Sequence, residues 1–336
     1  MKIPFRMLIL CVLIGSSCEN ERDDFNTCPP FKDIQESPYK DPIWHPVDKI
    51  IGFNHTPLKS IKYSYGINCP QQASYKYEEE MKGFYLIDED GKNKRRILPY
   101  ELNTPAWSPD GKWIAFSKGA QIFIMPFDGI EFDTSAMVQL TFEGRNFFPS
   151  WSPDGEWIAY NESVCNNNIA CGIWLYNLNK NITQHIGQYG NYPDWHPNSD
   201  SVIFLTNAIN REGEDVGDSL WMYNVSNNRS HLLKFISLPH YDNRNLKFSP
   251  GGTQIGLTSI LSIGGEQLYM INVNDYSFSK LTSEGCQGFS FSPDGKIVYV
   301  NYDYSIINEH KGTLWIMNPD GTEKQQLTNN DFQIIQ

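Results

Sequence analysis

The sequence predicts an all-β fold, a six-bladed β-propeller of four-stranded antiparallel blades, on three observations. One tight-turn motif recurs six times at a spacing near 44 residues. Each recurrence is followed by the same succession of short apolar strands. The composition also suits strands and turns: among 336 residues there are 8 Ala but 30 Asn, 25 Gly and 20 Pro, and aromatics reach 14%. Helix bundles and coiled coils need Ala, Leu, Glu and Lys in quantity, so those classes are excluded. The apolar content is ample for a core, which excludes global disorder.

The six copies are Trp44-His45-Pro46, Trp107-Ser108-Pro109-Asp110-Gly111, Trp151-Ser152-Pro153-Asp154-Gly155, Trp195-His196-Pro197, Phe248-Ser249-Pro250-Gly251-Gly252 and Phe291-Ser292-Pro293-Asp294-Gly295. Their aromatic positions are 63, 44, 44, 53 and 43 residues apart, a period near 44 with two insertions. Pro supplies a fixed φ and Gly a positive φ, so Ser-Pro-Asp-Gly reads as a type I turn closing a hairpin. A strand follows each turn, as in Trp113 to Phe116, Trp157 to Tyr160 and Ile297 to Tyr299. A third strand comes next, as in Phe84 to Ile87, Ile122 to Met125, Ile173 to Tyr176, Leu220 to Tyr223, Leu268 to Ile271 and Leu314 to Met317. A polar turn such as Asp88-Glu89-Asp90-Gly91 then leads to a short fourth strand, such as Val138 to Thr141. One such sheet cannot bury both faces alone, whereas a ring of six buries each face against the next blade. The aromatic residue before Ser-Pro fits that interblade role.

This places the propeller at 42–330. Residues 18–41 are expected to be a tether and strap, and 331–336 a tail or an added edge strand. Residues 1–17 carry Lys2 and Arg6, the apolar run Met7 to Ile14, and the small residues Gly15, Ser16 and Ser17 ahead of Cys18. The apolar run is too short to span a bilayer. The segment resembles a bacterial lipoprotein signal peptide, which implies cleavage before Cys18 and lipidation of that Cys. Gly15 stands where such signals usually have a branched apolar residue. An ordinary secretory signal is the alternative. Acyl chains on Cys18 would anchor the protein to a membrane. The acidic run Glu19 to Asp24 reads as a solvated tether. It also resembles the export tag of lipoproteins displayed on the outer surface. The expected location is therefore the bacterial cell envelope, at the periplasmic face of the outer membrane or the cell surface. With 27 Lys and Arg against 39 Asp and Glu, a net charge of −12 argues against nucleic acid as a partner.

Pro105 to Phe116 and Pro149 to Tyr160 resemble the WD40-like Pro-Asp propeller repeat of TolB. The resemblance covers all six repeats. It is strict in the second, third and sixth, and looser where His45 and His196 replace Ser and where Gly251 replaces Asp. It implies a TolB-like propeller that serves as a binding platform. The family's N-terminal α/β domain is not expected here, because the repeats occupy the chain from residue 42 onward. Related propellers precede serine peptidase domains, but no Gly-x-Ser-x-Gly elbow occurs.

The tight turns between first and second strands and between third and fourth strands share one face. The Pro-Asp residues there are read as structural. The opposite face carries the long second-to-third loops (54–82, 161–172, 206–219, 258–266 and 301–312) and the interblade connections (143–149, 186–193 and 236–246). A ligand or partner is expected on that long-loop face. The candidate binding residues are Arg145, Phe147, Phe148, Tyr189, Tyr192, His240, Tyr241 and Arg244, because Tyr and Arg anchor partners. The competing reading has Phe147 and Phe148 packing between blades. Glu78 to Glu80 are expected to form a solvated edge.

No His-x-x-x-His or Cys-x-x-Cys occurs, so no metal or other cofactor is expected. Asn103, Asn146 and Asn191 fall at similar repeat positions, which leaves open a Ca²⁺ site of the kind found in lactonase-like propellers. In an oxidising envelope Cys165 with Cys171 and Cys28 with Cys69 are candidate disulfides, leaving Cys286 unpaired and buried. The functional expectation is a monomeric, non-catalytic, lipid-anchored envelope propeller. It would bind a protein, or a cell-envelope glycan or other ligand, through its long-loop face. The alternatives are a carbohydrate or small-ligand sensor, and a Ca²⁺-dependent lactonase or lyase.

Overall fold

The computed structural model describes residues 37–64, 72–164, 169–198, 200–209, 215–236, 243–261, 265–302 and 305–335. The signal segment, Cys18, Cys28, Cys69, Cys165, His240 and Tyr241 lie outside the described residues.

Six four-stranded antiparallel sheets follow one another along the chain, each with its strands in sequential order. Their first strands are Tyr39–Trp44, Asn103–Trp107, Asn146–Trp151, Gly190–Trp195, Asn243–Phe248 and Phe289–Phe291. The first of these opens inside the 18–41 stretch, so Tyr39 to Asp41 belong to blade 1. First strands touch one another in series from blade 1 to blade 5, that of blade 1 also meets that of blade 6, and blades 5 and 6 share a buried core. The propeller is therefore a closed ring.

Its stability comes from the junctions between blades. A separate buried apolar cluster lies between each neighbouring pair. Phe84, Leu86, Ile114 and Phe116 fill the junction of blades 1 and 2, and Ala115, Ile122, Ile158 and Tyr160 that of blades 2 and 3. Ile173, Leu175, Val202 and Phe204 follow, then Ile203, Leu220, Ile255 and Leu257, then Leu268, Met270, Ile297 and Tyr299. The period of two along each strand sends alternate residues to opposite junctions, so Ile114 and Ala115 serve different cores.

The seam between blades 6 and 1 is built differently. Among the described residues no strand is exchanged between these blades. Instead the 63-residue spacing of the first two repeats accommodates an extra hairpin, Leu58–Ser64 with Gln72–Tyr77. The C-terminal strand Gln333–Ile335 pairs in parallel with Leu58–Ser64. Residues 331–336 thus supply an edge strand. The Tyr75 hydroxyl accepts the Ile307 N–H at 2.9 Å, and Phe53, Ile61, Val300 and Leu314 share one core across the seam. Glu79 and Glu80 sit in an exposed 3₁₀ turn beside this hairpin.

Candidate functional site

The turn motif explains one mouth of the axial channel. In three strict copies the Ser hydroxyl donates to the Asp carboxylate: Ser108 to Asp110 at 2.6 Å, and Ser152 to Asp154 and Ser292 to Asp294 at 2.5 Å. The Ser108 and Ser152 oxygens also accept the N–H of the first residue of the next strand, both at 2.9 Å. Burial alone would raise Asp110, but the bonds from Ser108 and the Lys112 N–H hold it below its ordinary value. In the looser first copy His45 takes over: its Nδ1 accepts the Asp48 N–H at 2.8 Å, and its Nε2 lies 3.0 Å from the Gly111 carbonyl. Together the six aromatic residues and their prolines line a cavity of about 350 Å³.

The other mouth is made by a bulge that all six blades share. Three residues before each turn aromatic stands a residue in the left-handed region: Asp41 (φ 48°), Thr104 (50°), Phe148 (54°), Tyr192 (54°), Asn245 (53°) and Gly288 (83°). The strand register shifts at the first five of these. Such a bulge re-aims a side chain, and here all six residues line the axial channel around a cavity of about 90 Å³. Non-glycine residues reach this conformation at a cost of about 1 kcal/mol each. Around the ring the order is acid, hydroxyl, aromatic, aromatic, amide, glycine. Phe148 and Tyr192 are adjacent, with ring centroids 4.5 Å apart. The polar members are held by the second strand of their own blade: Asn54 donates to Asp41 at 2.9 Å, Asn245 donates to Thr258 at 3.1 Å, and the Thr104 and Ser117 hydroxyls are 3.2 Å apart.

Between the two mouths lies a polar cluster. Asp194 accepts from the Ser150 hydroxyl at 3.0 Å and from the Phe248 N–H at 2.8 Å, and Lys247 Nζ lies 3.4 Å away. The channel thus has an aromatic wall at its long-loop mouth and one acid–base pair inside.

Of the candidate residues, Phe148 and Tyr192 meet at the channel mouth. Arg145 stacks over Phe147, its guanidinium carbon 6.0 Å from the ring centroid, and that ring lies 6.4 Å from Phe148. Arg244 pairs with the buried Glu266 at 3.6 Å, and Tyr189 stands at the surface, 62% exposed. The amides proposed for Ca²⁺ do not share one position. Asn146 sits one residue earlier in its repeat than Asn103 and Asn191, is buried, and donates to the Glu143 carbonyl. Among the described residues no three His, Cys, Asp or Glu side chains cluster. Cys171 is disulfide-bonded, while Cys286 is free and buried.

Sequence reasoning passed over the bulge and the Asp194–Lys247 pair, whereas the edge-strand alternative for 331–336 is the one that the structure adopts. A signal for the bulge was present: Pro42, Pro105, Pro149 and Pro193 recur two residues before the turn aromatic. Proline inside a strand marks an edge or a bulge.

Fold and channel together define a six-bladed β-propeller with an axial cavity. Among solved structures, TolB from Acinetobacter baumannii superposes with a TM-score of 0.59 at 23% identity, covering 75% of this chain and 60% of that one. A protein of Agrobacterium tumefaciens assigned to TolB gives 0.56 at 20% identity, covering 70% of this chain and 84% of the other. The β-propeller domain of the Trilobed protease from Pyrococcus furiosus, described as having an open velcro topology, gives 0.51 at 11% identity over 88% of this chain and 99% of that one. No protein-family profile and no curated protein matches the sequence. The fold is that of the TolB propeller and of other six-bladed propellers.

Proposed function

We propose that this chain is a lipid-anchored propeller of the bacterial cell envelope. It binds a protein, or a cell-envelope glycan or other ligand, through its long-loop face and performs no chemistry there. The carrying observation is the ring of six bulge residues, which keeps one backbone conformation and varies its side chain in every blade. A partner segment entering the mouth would set an apolar or aromatic group against Phe148 and Tyr192 and polar groups toward Asp41 and Asn245. Cys18 and the segment before it support the anchor. The fold likeness to TolB supports an envelope setting.

The test is affinity co-purification of the full-length protein from solubilised envelopes beside a Cys18→Ala variant, with bound proteins identified by mass spectrometry. A stoichiometric partner with the wild type, together with release of Cys18→Ala from the membrane fraction, is expected. Recovery of the propeller alone would count against the scaffold reading, and membrane retention of Cys18→Ala would sink the anchor. A small-ligand sensor is the second reading, favoured by the adjacent rings of Phe148 and Tyr192. Saturable binding of an envelope sugar, lost in Tyr192→Ala, would establish it instead.

A further inference from the structure

We propose that the crevice between blades 2 and 3, away from the axial channel, is a binding site for a protonated amine. Its cavity measures about 390 Å³. At its base is Glu162, the last residue of the second strand of blade 3, only 2% exposed. Glu162 Oε1 accepts the N–H of Arg145 and of Val164, both at 2.8 Å, and Oε2 shares the Arg145 N–H at 2.9 Å. These bonds orient the carboxylate but bring no net positive charge. No Lys, Arg or His pairs with Glu162 among the described residues. A buried carboxylate is stable when a cation offsets its charge. Oε2, with one shared donor, keeps acceptor capacity for another.

A second, independent observation points into the same cavity. Tyr160 precedes Glu162 by two residues, so both project from the same face of the strand. Tyr160 is 5% exposed, lines the cavity, and its hydroxyl has no hydrogen-bond partner among the described residues. Burial first, and then the Glu162 charge, push the Tyr160 hydroxyl up from its ordinary value, so it stays protonated. The hydroxyl opens to the cavity, where a ligand or water can complete its hydrogen bonding.

The walls complete the chemistry. Trp174 pairs with Tyr160 across the strands, and the ring of Phe142, 74% exposed, borders the opening beside Leu140. Aromatic faces attract ammonium groups, and apolar walls accept the carbon body that carries one. An anion would be repelled by Glu162. A neutral sugar would leave the carboxylate charge without a counterion. The described residues offer no further carboxylate cluster that would hold a divalent metal.

The test uses the full chain with phenethylamine hydrochloride, followed by Trp fluorescence and calorimetry, with 2-phenylethanol and N-acetylglucosamine as neutral comparators. Saturable one-to-one binding of the amine is expected, at least about tenfold tighter than that of the alcohol. Glu162→Gln should weaken it about tenfold or more, and Tyr160→Phe severalfold. Because Tyr160→Phe removes only an unpartnered hydroxyl, its Tm should equal or exceed that of the wild type. This variant therefore decides the matter even if Glu162→Gln fails to fold. Absence of saturable amine binding, equal affinity for amine and alcohol, preference for the sugar, or affinity unchanged in Tyr160→Phe would each overturn the proposal.

Discussion

The two mouths of the channel share a sixfold backbone and differ in what is repeated on it. At the turn mouth the side chains themselves recur: an aromatic and a Pro in every blade, with a Ser–Asp hydrogen bond in three. At the long-loop mouth only the left-handed backbone recurs, and the six residues are Asp, Thr, Phe, Tyr, Asn and Gly. Repeated side chains mark places where every blade has the same structural need. A repeated conformation with varied side chains marks a place where the fold supplies a frame and leaves the chemistry free. The proposed partner would therefore be told from others at the second mouth.

This contrast makes stability respond unequally to changes at the two ends. The largest effect is expected from Trp107→Ala. Trp107 is 9% exposed and stacks on Phe132 with ring centroids 5.6 Å apart at the junction of blades 1 and 2. Removing it should cost about 3–5 kcal/mol in urea unfolding. A loss below about 1 kcal/mol would show that the aromatic is not the interblade wedge.

Acid titration separates the ends next. His55, at the long-loop end of blade 1, stacks on Tyr39 at 4.0 Å and its Nδ1 donates to the Pro38 carbonyl at 2.9 Å. Burial, aided by the nearby Lys94 charge, pushes it down from 6.5 to about 3. The unfolded chain therefore takes up the proton first. The His55 contribution is whole above pH 6.5 and is lost as pH falls toward 3, by up to about 1.4 kcal/mol per pH unit. At the turn end, Asp110 and Asp294 are held below their ordinary 3.8, so their contribution survives until pH falls through that region. Unfolding midpoints measured from pH 7 to 4.5 should drop in the wild type and flatten in His55→Phe. An equal slope in both proteins would remove His55 as the cause.

A smaller loss is expected from Gly111→Ala. Gly111 has φ +70°, and a Cβ there would stand 2.3 Å from the His45 ring. About 1–3 kcal/mol should be lost from this combined strain and clash. The smallest change belongs to the other mouth. Phe148→Ala and Tyr192→Ala should each cost less than about 1.5 kcal/mol, since both rings line the channel and are only half-buried, with Tyr192 at the edge of the core between blades 4 and 5.

The repeats made the six blades readable from sequence, because Trp-Ser-Pro-Asp-Gly encodes a turn through local φ preferences and hydrogen bonds that need no distant partner. The third strands, such as Leu314 to Met317, were equally plain as continuous apolar runs. What escaped was set by assembly. Residues 331–336 read equally as a tail or an added edge strand, because Gln333–Ile335 is too short to carry a strand pattern and gains its identity from the hairpin at 58–77. Asp194 and Lys247 stand 53 residues apart and become neighbours only once blades 4 and 5 are adjacent. Phe148 and Tyr192 were singled out as aromatic residues in an interblade connection. That they meet follows from the bulge, whose proline mark was visible but whose direction was not. Tyr160 and Glu162 read as ordinary alternation along a strand, and the crevice they share takes shape only where residues 140–146 of the preceding blade meet them.

The central claim is that recognition resides at the long-loop mouth and not at the turn mouth. The most direct measurement is quantitative co-purification from solubilised envelopes of the full-length wild type, a Phe148→Ala/Tyr192→Ala variant and an Asp110→Asn variant. The three would be compared at equal recovery of folded propeller. Partner yield should be retained in Asp110→Asn and fall at least about tenfold in the double variant. Full retention by the double variant, or loss in Asp110→Asn alone, would contradict the claim and move recognition to the turn mouth.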